Sequence, residues 1–190
     1  MTPSQTIGPF FSYSLTSNEN GRPSIASNRI RALSGVGICI EGKVLDGDGK
    51  PVSDAMLEIW QADANGLLAV PNDRANVNFL GFARAATDQD GNYIFETVKP
   101  GRTNNQDNIL QAPYINLTVF ARGILSQLYT RIYFADEKSN DKDPVLTIIQ
   151  DPERRATLIA VRDSDWNGHT KYQFNIHLQG DAETVFFQWS

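Results

Sequence analysis

Residues 42–60, GKVLDGDGKPVSDAMLEIW, and residues 82–101, FARAATDQDGNYIFETVKPG, share one construction: a short apolar run, a turn spelled Asp-x-Asp-Gly, and a second apolar run. Asp and Gly supply the local hydrogen bonds and positive φ that a tight connection needs, so each stretch is expected to be a strand, a turn and a strand. The runs SQLYTRIYF, TLIAVRD, KYQFNIHLQ and AETVFFQW continue the pattern. About eight short strands at this spacing predict an all-β fold, a β-sandwich. Only DPVLTIIQ and DPERR predict brief helices. The first 35 residues are rich in Ser, Asn, Gly and Pro without strand or helical period, so the expected organisation is an extended arm over 1–35 and a sandwich domain over 36–190.

The stretch QAPYINLTVFARG, residues 111–123, has the clearest period of two. Ile115, Leu117, Val119 and Ala121 should face the core, and Tyr114, Asn116, Thr118, Phe120 and Arg122 the other side. Arg122 would then stand roughly 26 Å along the strand from Tyr114, at about 3.3 Å per residue.

A chain of 190 residues with 41% hydrophobic and 21% charged residues is expected to form one soluble domain with a sizeable core. Its formal charge of -5 gives no global attraction to nucleic acid or anionic lipid, so an anionic ligand would need a local basic residue such as Arg122. The single cysteine, Cys39, lies in the apolar run VGICIEG and reads as a small buried hydrophobe. Together with an N-terminus that lacks the pattern of a signal peptide, it suggests a cytoplasmic protein. The sequon at Asn116 falls inside a predicted strand and is set aside.

Local motifs exclude more than they identify. No G-x-S-x-G, P-loop, G-x-G-x-x-G or H-E-x-x-H occurs, and the two Asp-rich turns lack the closing Glu of a calcium loop. His169 and His177 have no second histidine, cysteine or carboxylate at ligand spacing, so this chain alone is not expected to bind metal. On pattern alone the arm is an ordinary polar terminus, and Arg122 forms a surface ion pair.

The segments TPSQTIGPF, DAMLEIWQADANG, TDQDGNYIFETVKPG, APYINLTVFARG, TRIYF and QGDAETVFF together resemble, in order and over nearly the whole chain, the intradiol ring-cleaving dioxygenases. INLTVFARG and ETVFF are similar to the family's alpha type of chain. The resemblance implies a β-sandwich and a reaction in which O₂ opens a catechol ring, here protocatechuate, to 3-carboxy-cis,cis-muconate in aromatic catabolism. It also implies a non-haem ferric iron held by two tyrosines and two histidines in the chains that do the chemistry. Phenolate and imidazole suit Fe(III). At the corresponding positions this sequence has Leu68 (after Leu67), Thr103 (after Arg102), Tyr114 and Asn116. Leucine has no donor atom, and threonine and asparagine are poor donors for ferric iron, so the pocket is expected to be vestigial, with no catalytic residue and no metal in this chain.

What the resemblance implies instead is a contribution to a neighbour. An iron-bearing beta subunit would hold Fe(III), and this chain would line that site with Thr6, Gly8 and Pro9 of the arm and with Arg122, which faces the substrate carboxylate. A stand-alone β-sandwich binding module is the alternative from another class, since the fold pattern alone does not specify function. A homomeric dioxygenase with relocated ligands is a third.

Overall fold

The computed structural model describes residues 15–16, 27–30, 34–69, 79–166 and 168–188. Nine strands form one mixed sheet: β1 (Gly37–Leu45), β2 (Met56–Gln61), β3 (Phe82–Ala86), β4 (Asn92–Val98), β5 (Tyr114–Phe120), β6 (Leu128–Phe134), β7 (Ile159–Trp166), β8 (His169–Gln173) and β9 (Ile176–His177). Their order is β3-β2-β5-β6-β7-β8-β1-β4, with β9 beside β1. The sheet doubles back at β7. That strand pairs with β6 through Tyr133↔Ile159 and Phe134↔Ala160, then with β8, its register shifting between Arg162 and Asp165. Ile38 and Ile40 of β1 and Phe95 of β4 thereby join Leu57 and Ile59 of β2 and Ile115, Leu117 and Val119 of β5 in one buried cluster. Each such side chain contributes about 1.5–3 kcal/mol by leaving water.

The period of two in residues 114–120 is realised: Ile115, Leu117 and Val119 are buried, whereas Tyr114, Asn116, Thr118 and Phe120 are half-buried. β5 ends at Phe120, however, so Arg122 lies in the following turn rather than on the strand. Cys39 is buried as expected, and burial, followed by the charges of Glu41 and Glu96, pushes its thiol up to about 11, leaving it protonated and unreactive.

Four loops share one hydrogen-bond plan. In residues 46–50, 63–67, 88–92 and 105–109 the first side chain, from Asp46, Asp63, Asp88 or Asn105, accepts from the backbone N–H two and four residues on. The fourth residue in each has positive φ: Gly49, Gly66, Gly91 and, at +59°, Asn108. The side-chain oxygen at the head of each loop is thus engaged by the loop's own backbone, which explains why the Asp-rich turns act as connections.

Helices occur where Asp-Pro predicts them, at Pro144–Ile148 and Pro152–Ala156, capped by the side chains of Asp143 and Asp151 with Pro in the first turn. The tail AETVFFQW departs from the strand expectation and makes one isolated bridge, Tyr129↔Phe187. Its backbone is satisfied partly by side chains, Val185 N–H donating to Thr157 Oγ1 and its carbonyl accepting from Thr130 Oγ1, and partly by scattered backbone carbonyls, Thr184 N–H donating to that of His177 and Phe187 N–H to that of Tyr129. The end of the arm also belongs to the body, since Ile30 N–H donates to the Glu96 carbonyl at 2.8 Å and Glu96 N–H to the Asn28 carbonyl at 3.0 Å.

At the end of β4, Lys99 Nζ lies 3.0 Å from Asp136 Oδ2 and 2.7 Å from Glu137 Oε1. It also sits 5.2 Å over the Phe134 ring and 5.6 Å over that of Tyr172, tying β4 to the residues that follow β6. Among the described residues no helix is long and apolar enough to cross a membrane.

Candidate functional site

Glycines bring the four positions of interest to one end of the sheet. A Cβ on Gly66 would lie 2.0 Å from the Arg102 carbonyl oxygen, and one on Gly101 would lie 2.5 Å from Gly66 N. Only Gly permits this approach, which packs the loop leading to Leu68 against the segment leading to Thr103. Thr103 is tied onward, its carbonyl accepting from Gln111 N–H at 2.8 Å, and Ala112 N–H donates to Asp143 Oδ2 at 2.8 Å just before β5 begins. β5 then presents Tyr114 opposite Tyr133 and Asn116 opposite Arg131, with Trp60 of β2 on the other flank of Asn116.

The residue that dominates this end is Arg131, whose importance the sequence pattern did not signal. It is 9% exposed, and its guanidinium carbon stands 3.9 Å from the Tyr114 ring centroid. Nη1 donates to the Tyr133 hydroxyl at 3.2 Å, which in turn donates to Asp143 Oδ1 at 3.1 Å. Burial pushes the Tyr133 phenol well above its ordinary range, the Arg131 charge opposing, so it remains a neutral O–H between guanidinium and carboxylate. Asp143 is fully buried and also accepts from Val145 and Leu146 N–H. Tyr114 and Tyr133 lie with ring centroids 6.0 Å apart.

These residues do not fit ferric iron. Leu68 is a half-exposed hydrocarbon, Thr103 and Asn116 offer neutral oxygens, and Tyr114 has its ring beneath a cation. Among the described residues no group of three or more His, Cys, Asp or Glu could hold a metal ion. A metal cation here would be placed beside a guanidinium, whose charge opposes its own.

Arg122 is separated from this network, lying beyond the far end of β5. Its side chain is 61% exposed and its guanidinium pairs with the carboxylate of Asp54, ahead of β2. Thr6, Gly8 and Pro9 lie outside the described residues.

A sequence family described as Dioxygenase, Dioxygenase_C, matches residues 7–180. The chain belongs to the intradiol dioxygenase family. Intradiol dioxygenases are of the non-haem iron type. The chain is 45% identical over 195 residues to the protocatechuate 3,4-dioxygenase alpha chain of Pseudomonas putida, covering 99% of this chain and 96% of that one. It is 32% identical over 190 residues to the beta chain from Burkholderia cepacia, covering 95% of this chain and 76% of that one. Among solved structures, the dioxygenase domain of a dioxygenase carbohydrate-binding protein fusion from Streptomyces sp. SirexAA-E matches with a TM-score of 0.64 at 24% identity, covering 94% of this chain and 98% of that domain. That likeness bears out the fold.

Proposed function

We propose that this chain is the non-metallated alpha-type subunit of a protocatechuate 3,4-dioxygenase, acting with an iron-bearing beta chain in the cytoplasm. The observation that carries this reading is the donor-poor end of β5 in a chain nearly half identical, over almost its full length, to alpha chains of that enzyme. The complex would incorporate O₂ into protocatechuate to give 3-carboxy-cis,cis-muconate, with Fe(III) held by the beta chain. This chain would supply shape and charge. Gly8 and Pro9 would bring the arm's backbone close to the ring in a fixed bend beside Thr6, and Arg122 would set a planar donor or a positive field against the substrate carboxylate. Its exposure, with an ion pair to Asp54 that is itself partly exposed, leaves it able to face a second chain.

Co-expression with a beta chain tests the assembly: a stable iron-containing complex is expected, and a purified mixture that never associates contradicts the reading. Within the complex, Arg122→Ala should raise KM for protocatechuate more than for catechol, which lacks the carboxylate. Equal losses with both substrates would assign Arg122 to assembly or to a general field.

A further inference from the structure

We propose that Arg131 is the receptor for a carboxylate at the end of the sheet where the metal positions lie. A guanidinium offers five N–H donors. Arg131 uses Nη1 on the Tyr133 hydroxyl and covers one face with the Tyr114 ring, yet no carboxylate among the described residues lies within ion-pair distance of it. Partly buried cations are served differently: Arg84 meets Glu58, with Nε 2.8 Å from Oε1, Lys99 meets Asp136 and Glu137, and Lys171 meets Glu41 and Asp163. Asp143 reaches Arg131 only through Tyr133 and is committed to three backbone N–H groups. A desolvated charge without an anion is costly, and a planar fork with free donors is matched by a carboxylate. Thr103 adds a second unanswered group, its buried hydroxyl having no hydrogen-bond partner among the described residues. The carboxylate comes either from a free aromatic acid or from an acidic side chain of the partner subunit.

The inference stands on this geometry and holds whether or not the chain is an alpha-type subunit. Titration calorimetry of the full chain with benzoate, and with phenol as the uncharged control, tests it. Benzoate is expected to bind at least about tenfold more tightly than phenol, and Arg131→Gln to abolish that preference. Arg131→Lys keeps the charge without the fork and should fall between. The complex with the beta chain separates the sources, with the Arg131→Gln complex as baseline: retained benzoate binding assigns a free acid. Exclusion of benzoate, or weaker association of Arg131→Gln with the beta chain, assigns the partner. Benzoate and phenol binding alike, or Arg131→Gln binding benzoate as the parent does, overturns the proposal. So does an absence of benzoate binding combined with unchanged association of the variant. Should Arg131→Gln fail to give a cooperative melt, Arg131→Lys and the benzoate-to-phenol ratio of the parent decide.

Discussion

Lys99 and Arg131 are two cations placed over aromatic rings, one just beyond β4 and the other in the middle of β6, and they differ in what surrounds their charge. Lys99 is held by two carboxylates and lies over two rings, so its charge is consumed within the fold. Arg131 has one ring and one hydroxyl, and the carboxylate behind that hydroxyl is shared with the cap of a helix. A cation whose partners are all internal fastens the structure. One left partly unanswered is kept at a cost that stability does not repay, and that difference separates a structural charge from one available to a ligand.

Removing Asp143 should have the largest effect on this contrast, because it withdraws the acceptor of Tyr133 and of three backbone N–H groups at once. Asp143→Ala is expected to destabilise the chain by about 3 kcal/mol in denaturant titration. A loss below about 1 kcal/mol would mean that Arg131 has no indirect counter-charge. Lys99→Met comes next, at about 2 kcal/mol, since it leaves Asp136 and Glu137 partly buried and unpaired. Its pH signature is specific. Burial opposes charge on Lys99, but hydrogen bonds to Glu137, Asp136 and Tyr172 outweigh it and raise its pKa. Burial likewise opposes charge on Asp136, but hydrogen bonds with Lys99 and Tyr172 outweigh it and lower its pKa. The Lys99 contribution is therefore complete below about pH 10.4 and lost as pH rises through its raised folded value. The Asp136 contribution is complete above about pH 3.9 and lost as pH falls through its lowered one. Stability curves of Lys99→Met should show a weaker alkaline fall-off, the part due to Lys99 being gone, and a weaker acid one.

Arg131→Met should change the stability of the free chain by less than about 1 kcal/mol, because the lost cation–π contact is offset by relief of a desolvated charge. A loss as large as that of Lys99→Met would put both cations in the same structural class. Arg122→Ala should be the mildest, within about 0.5 kcal/mol in the same titration, since an exposed ion pair contributes little.

Much of this was legible in the sequence because the signals were local. Alternation over residues 114–120 set the faces of β5, the Asp-Pro pairs marked both helices, and at position 68, one of those the resemblance implies for iron, leucine offers no donor atom. Arg131 was hidden for a physical reason: residues 130–134 of β6 are all buried, so the period of two that exposes a functional face disappears. Its neighbours Tyr114 and Asp143 come from separate segments and meet it only through strand register and a helix cap. The tail did not form a continuous strand: side-chain hydroxyls, which no apolar pattern registers, took the bonds of Val185, and its neighbours bond to carbonyls of different segments. Arg122 fell beyond β5 because Gly123, at φ +84°, turns the chain immediately after it.

The four matching loops have a consequence for how the scaffold can be altered. Each closes its side-chain hydrogen bonds within five residues, while the loop at 63–67 is also packed against residues 101–102 and the Gly91 carbonyl of the loop at 88–92 accepts from Val44 N–H. DGDGK at 46–50, where a Cβ on Gly49 would meet open space, asks least of its surroundings, and that part of the rim is a socket where a new segment can be spliced without disturbing strand register.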